Sequence, residues 1–297
     1  MYELIKTIGN TYYFDCPSKV GVYVDGGKDV WLIDGGSDKD AGRKILRAVN
    51  ECGWKVKAII NTHAHADHFG GDRFIADRTG CAVYASSFES VIENYPIFEP
   101  ISLYGGYPPK ELRNKFLMGQ AVAAEDIALA KLPVGMETVD LGGHALGMIG
   151  VRTPDNVWFI ADTLSSPETI EKYHVSFTCD VGAYLASLDT VAGLEGAYFV
   201  PAHAEPGEKM DELIRLNREK CLEVMALIKE ICAEGSDGDT VIKKVFDRYG
   251  LAMTFQQYAL IGSTVRSYLS YLLDSGEMEI VIEDNMILWR SIERGRQ

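Results

Sequence analysis

His63, His65, Asp67 and His68 place three imidazoles and a carboxylate within six positions of the run Asn61-Thr-His-Ala-His-Ala-Asp-His-Phe-Gly70. An ordinary core has no reason to collect these groups, because each imidazole needs a polar partner once buried. They read as metal ligands. A spacing of two lets His63 and His65 point to one side of an extended segment, while Asp67 and His68, past the bend, turn toward a neighbouring point. That division implies two adjacent metal ions.

The chain has six histidines, and half of them lie in this run. His144 sits in Leu-Gly-Gly-His-Ala and His203 in Val-Pro-Ala-His-Ala-Glu-Pro, while Asp162 directly follows the apolar residues Val157 to Ala161. All three are corners of the kind that carry ligands. Only His174 is left over. A lone loop histidine is ordinarily a hydrogen-bonded structural residue, and it is the cluster that changes the reading.

The pattern His-x-His-x-Asp-His, followed in order by an isolated His, an isolated Asp and a last His, resembles the metallo-beta-lactamase superfamily of hydrolases over residues 1–205. The resemblance implies a first metal on His63, His65 and His144, a second on Asp67, His68 and His203, and Asp162 bridging the two. It also implies that Asp67 orients the attacking hydroxide, and that Asp34 holds the metal loop from the end of a strand. One departure is visible. The family's glutathione thioesterases resemble Gly-His-Thr-x-Gly-His at the third element, whereas Gly143-His144-Ala145-Leu146-Gly147-Met148 lacks both later polar side chains. The substrate pocket is therefore expected to differ from theirs.

The elements that must position these residues alternate between strand and helix. Short strands are expected at 2–8, 11–14, 21–24 and 30–34, then a helix to about Cys52 capped by Ser37. A buried strand at 56–60 delivers the ligand loop, a helix at 69–78 leaves it, and Gly70 and Gly71 allow close approach there. A strand at 82–85 follows. Residues 88–130, rich in aromatics, Pro and Gly, read as an insertion or lid, with Tyr104, Tyr107, Phe116, Met118, Arg113 and Lys115 offered to a substrate. Strands at 137–140, 147–151, 157–161 and 197–201, with a helix at 181–191, complete an α/β fold expected to be a four-layer αββα sandwich. Residues 1–207 would form this catalytic domain.

Residues 208–297 change character. A long helix at 210–233, a shorter one capped by Asp239 or Thr240, an amphipathic helix marked by Val265, Tyr268, Leu269 and Leu272, and two strands suggest a small α+β winged-helix-like appendage. Residues 236–297 carry seven basic and nine acidic side chains, among them Glu293, Arg294 and Arg296. That balance favours helix packing or a homodimer contact over DNA readout.

The whole chain has a formal net charge of −14, which disfavours capture of nucleic acid phosphates. Six scattered cysteines without a Cys-x-x-Cys pair fit free thiols, and with no h-region at the start and no long apolar run, a cytoplasmic protein without membrane contact is expected. The donor set suits two Zn²⁺, and Fe or Mn also bind such groups. Hydrolysis of a small-molecule thioester or other carboxylic ester by a metal-bridging hydroxide is the leading reading. Phosphodiester hydrolysis and a mononuclear iron persulfide dioxygenase are the alternatives. A flavodiiron reductase is disfavoured, because that branch has Glu where His65 stands.

Overall fold

Two sheets are set by alternation. In the computed structural model, which describes residues 2–292, β1 (Glu3–Lys6), β2 (Thr11–Asp15), β3 (Val20–Asp25) and β4 (Asp29–Ile33) form an antiparallel meander, and β5 (Lys55–Ile60), β6 (Ala82–Ala85) and β7 (Ala124–Asp126) extend it in parallel. Glu293, Arg294 and Arg296 of the C-terminal charge count lie outside the described residues. The second sheet holds β8 (Glu137–Asp140), β9 (Ile149–Arg152), β10 (Val157–Phe159) and β11 (Tyr198–Val200) in the order β11-β10-β9-β8, with β10 and β11 parallel.

Along β4, Val30 and Leu32 face outward while Trp31 and Ile33 meet Val151, Val157, Phe159 and Val200 of the opposite sheet. This period of two gives each sheet an inner and an outer apolar face. The outer face of the first sheet is covered by α1 (Lys39–Glu51) through Ile45, Leu46 and Val49, and by Ile75 of a later helix. The four-layer α/β sandwich expected from the sequence is the fold observed.

Asp38 rather than Ser37 caps α1, its extended backbone letting Oδ1 accept from Asp40 N and Ala41 N at 3.0 Å each. The helix expected at 69–78 is two helices, α2 (Ala66–Phe69) and α3 (Asp72–Thr79). The break is a close approach of two backbones. A Cβ on Gly71 would meet Gly35 O at 2.2 Å, and one on Gly70 would meet Ser37 O at 2.3 Å. The residue types expected there are the ones the contact requires.

Residues 88–130 add more regular structure than composition suggested: α4 (Ser87–Asn94), α5 (Phe98–Tyr104), two 3₁₀ turns and β7. Beyond the second sheet come α6 (Pro167–Tyr173), α7 (Val181–Gly193), α8 (Asp211–Ile231), α9 (Gly238–Tyr249), α10 (Phe255–Asp274) and the hairpin β12 (Met278–Glu283) and β13 (Met286–Ser291). Asp237 caps α9 in place of the expected Asp239 or Thr240. All six cysteines are unpaired, and no helix among the described residues is long and apolar enough to cross a membrane.

The C-terminal helices share a core with the second sheet. Val224 and Ile228 of α8, Val241 and Val245 of α9, and Val265, Leu269 and Leu272 of α10 join Trp158, Leu188 and Phe199 in one continuous buried cluster. Leu269→Ala is therefore expected to destabilise the entire chain by about 2–5 kcal/mol. Calorimetry should show a single transition moving to lower temperature. A separate transition that shifts alone would show residues 208–292 to be an independent unit.

Candidate metal centre

The ligand loop leaves β5 at Ile60, and its base is pinned before the first histidine: Asn61 Nδ2 donates to Asp72 Oδ2 at 2.6 Å. Asp34, at φ +66, turns its carboxylate under the loop. Its Oδ1 accepts from Thr62 N at 2.7 Å, and its Oδ2 accepts from Thr62 Oγ1 at 3.0 Å and from His68 Nδ1 at 2.8 Å. Asp34 thus does what the sequence assigned to it, and it also fixes a ligand ring directly.

Each of the five histidines has one nitrogen committed to such a partner. Thr62 Oγ1 spends its proton on Asp34, so it accepts from His63 Nδ1 at 3.0 Å. His144 Nδ1 donates to Phe177 O at 3.0 Å, and His203 Nδ1 donates to Pro17 O at 2.8 Å. His65 Nε2 faces Glu99 Oε1 at 3.5 Å. A neutral imidazole carries one N–H, so the remaining nitrogens, Nε2 of His63, Nδ1 of His65 and Nε2 of His144, present lone pairs.

Those lone pairs converge. His65 Nδ1 lies 3.0 Å from His63 Nε2 and 2.9 Å from His144 Nε2, close to the roughly 3.3 Å that separates ligands of a tetrahedral ion bound at about 2.0–2.1 Å. In the second group, Asp67 Oδ2 is 3.2 Å from His203 Nε2 and 3.6 Å from His68 Nε2. Asp162 stands between the groups. Its Oδ1 is 3.1 Å from His68 Nε2, and its Oδ2 is 3.4 Å from His144 Nε2 and 3.3 Å from His203 Nε2. The seven residues named from the sequence come together as two triads joined by one carboxylate.

The electrostatics fit cations. Burial, reinforced by His68 and His65, holds His63 well below the usual imidazole range, and burial pushes His65 and His144 down to about 4. Burial thus favours in these three rings the neutral form that a ligand needs. In the second group burial opposes charge on His68, but Asp162, Asp67 and Asp34 outweigh it and raise that ring, and Asp162 brings His203 up to about 10; the carboxylates here draw positive charge, which a bound cation would supply in place of the two protons. Burial likewise works against charge on Asp67 and Asp162, and the facing imidazoles override it and hold both carboxyls low. The buried atoms His68 Nε2 and Asp162 Oδ1 face each other at 3.1 Å without hydrogen-bond geometry. Buried polar atoms aimed at one another without hydrogen-bond alignment suit an ion placed between them.

Local geometry sets the later ligands. Ala161 adopts φ +49 in the 3₁₀ turn 161–163, and its carbonyl accepts from Ala202 N at 2.9 Å, which binds the Asp162 corner to the His203 corner. His174 is elsewhere, stacked 4.6 Å from Tyr249.

A family model described as the metallo-beta-lactamase superfamily matches residues 14–203, a span that runs from β2 to the last histidine of the site. The chain belongs to the metallo-beta-lactamase superfamily. It is 27% identical over 230 residues to a probable metallo-hydrolase, YflN, of Bacillus subtilis, covering 69% of this chain and 84% of that one. It is 24% identical over 255 residues to a linear primary-alkylsulfatase of a Pseudomonas species, covering 72% of this chain and 47% of that protein, about half its length. A 130-residue stretch is 39% identical to a hydroxyacylglutathione hydrolase of Rhodospirillum rubrum, covering 43% of this chain and 42% of that one. Among solved structures, a beta-lactamase domain protein from Burkholderia ambifaria superposes with TM-score 0.72 at 15% identity, over 98% of this chain and 94% of that one.

Two cavities flank the donors of this metallo-beta-lactamase site. One, of about 570 Å³, is lined by His203, Asp162, Lys172 and Gln257; the other, of about 610 Å³, by His65, Phe88, Phe98 and Leu146. His144 and Phe177 line both. Of the insertion, α4 and α5 reach the second cavity. Tyr104, Tyr107, Arg113, Lys115, Phe116 and Met118, offered above as substrate contacts, line neither one. Tyr104 packs edge-on to Phe255, Leu112 and Leu117 bury beside Ala259, and Lys115 lies 3.6 Å from Asp38, so that half of the insertion is spent on α10 and on α1.

The sequence reading missed Ser18, whose hydroxyl donates to Asp67 Oδ2 at 2.6 Å, and Glu89, whose carboxylate accepts from Ala64 N at 2.9 Å and Gly147 N at 2.8 Å, tying two ligand loops together. Ser86-x-x-Glu89 has the form of a capping box, which marks the helix start but not this use of the carboxylate. It also missed Glu99, which burial pushes up to about 7. If Glu99 holds His65, Glu99→Ala should weaken metal binding about 10–100-fold in a chelator competition, while Glu99→Gln, which keeps an acceptor, stays within a few-fold of wild type. Equal affinities for all three proteins would remove Glu99 from this role.

Proposed function

We propose that this protein is a metal-dependent hydrolase of thioesters or other carboxylic esters, working with two transition-metal ions, of which zinc suits the donors best. The observation that carries the proposal is the pair of donor triads joined by Asp162 where two cavities meet. His63, His65 and His144 would hold one ion, Asp67, His68 and His203 the other. Bound there, the ions supply an acidified water and electrophilic pull on the acyl oxygen.

The chain's own residues do the rest. Ser18 fixes Asp67 through Oδ2, and the carboxylate holds a proton of the attacking water and aims its oxygen at the acyl carbon. The new C–O bond forms, the C–S or C–O bond to the leaving group breaks with its electron pair, and the leaving atom takes up the proton. No side-chain nucleophile is required.

The relative named hydroxyacylglutathione hydrolase supports acyl chemistry, although residues 143–148 lack the later polar groups of those enzymes. Phosphodiester hydrolysis on nucleic acid is poorly served. Apart from histidine, Lys172 is the one basic side chain lining either cavity. A complete second triad argues against a mononuclear iron dioxygenase.

Elemental analysis of metal-replete protein should find two transition-metal ions per chain, and chelation should abolish turnover of a thioester and ester panel. A single ion at full activity would defeat the two-ion reading. At equal metal occupancy, Asp67→Asn should lower kcat by on the order of 10²-fold with KM changed much less, a loss of roughly 3 kcal/mol in the transition state. Val134→Ser, at a fully solvated position, is the control. Near-normal turnover by fully metallated Asp67→Asn would sink the role given to Asp67.

A further inference from the structure

The 610 Å³ cavity beside His65 and His144 has walls unlike the rest of the site. Phe88, Val91, Phe98 and Leu146 are each about half exposed, and they gather around one opening with Ile101 and Phe177 further in. Large apolar side chains grouped at the mouth of a cavity, next to convergent polar donors, mark a place that an apolar ligand covers. The two carboxylates in this wall have other duties. Glu89 is occupied by two backbone N–H groups, and Glu99 faces His65. The opposite cavity mixes apolar residues such as Val175 and Ile261 with Ser165, Glu168, Thr169, Lys172, Ser176 and Gln257, and is the more polar of the two.

We infer that the apolar cavity is the acyl subsite and takes an unbranched aliphatic acyl chain, with the polar alcohol or thiol portion of the substrate in the cavity against His203. The inference rests on the ester-hydrolysis reading and names its substrate class. The direction follows from charge. When the bond to the leaving group breaks, the electron pair stays on the departing sulfur or oxygen, and burying that anion among phenylalanines would be costly. The other cavity offers it hydroxyls, an amide and the Lys172 ammonium before it is protonated, with the Glu168 carboxylate the one opposing charge in that wall apart from the donor Asp162. The acyl chain keeps no charge until it is released as the acid, and each of its methylenes gains from leaving water. Because His144 and Phe177 border both cavities, one extended substrate spans them with its scissile bond at the donors.

The test uses S-acyl N-acetylcysteamine thioesters from acetyl to octanoyl on metal-replete, full-length protein. kcat/KM should rise about three- to fourfold per added methylene until the cavity is filled. Leu146→Trp, which fills the cavity mouth, should lower the octanoyl-to-acetyl ratio at least tenfold, and Phe98→Ala, which removes a wall, should lower the same ratio should the tryptophan variant fail to fold. Calorimetry supplies a readout apart from turnover: octanoate should bind far more tightly than acetate, and Leu146→Trp should weaken octanoate about tenfold. Val134→Ser should keep the wild-type profile. Turnover of every thioester with a flat chain-length profile overturns the acyl subsite and leaves ester hydrolysis standing. Failure to hydrolyse any member overturns both.

Discussion

Much of the site depends on a single buried carboxylate, Asp34, which carries no metal itself. Through Thr62 it sets the proton of His63, and through its own Oδ2 it sets the proton of His68, one ring from each triad. Two tautomers are thereby decided by one acceptor. The αL backbone at Asp34 is a conformation that Asp tolerates better than most residues, and it aims the side chain back under the loop. The two glycines after α2 let that loop settle onto residues 35–37, where any side chain would collide. The donor arrangement is therefore held by backbone contact and hydrogen bonds from beneath. Protein-imposed order of this kind lowers the entropic cost of gathering ligands when an ion binds.

The insertion ties substrate recognition to the same framework. Glu89 on α4 clamps the loops that carry His63 and His144, while Glu99 on α5 looks at His65, and the intervening faces of both helices build the apolar wall. Displacement of either helix would disturb ligand geometry as well as the cavity.

What could be read in the sequence, and what could not, divides along the range of the interactions. The convergent donors on the run from Asn61 to Gly70 were legible because their chemistry is concentrated in one stretch, and His144, Asp162 and His203 were legible as their companions because each follows an apolar run in an order that resembles a known family. Sheet strands such as β6 and β8 were legible from their residue types and the turn signals that bound them. Ser18, Glu89 and Glu99 were not, since a serine in a turn or a glutamate on a helix carries no mark of the partner it meets across the fold. The caps of α1 and α9 slipped by one to three positions because neighbouring Ser, Thr and Asp compete for one role, and only backbone angles choose between them. The insertion was misjudged in half of its length for a related reason. Aromatics and prolines announce contact, and nothing local says whether the contact is a substrate or helix α10.

Helix α10 contributes no ligand, yet Gln257, Leu260, Ile261 and Thr264 line the polar cavity, and Thr264 Oγ1 accepts from Thr178 N at 3.1 Å next to Phe177. A helix outside the ligand set thus forms one wall of the reaction chamber. Substitutions along its inner face can reshape what that cavity accepts while every donor of the two triads stays in place, so selectivity on that side can diverge as a module separable from the chemistry.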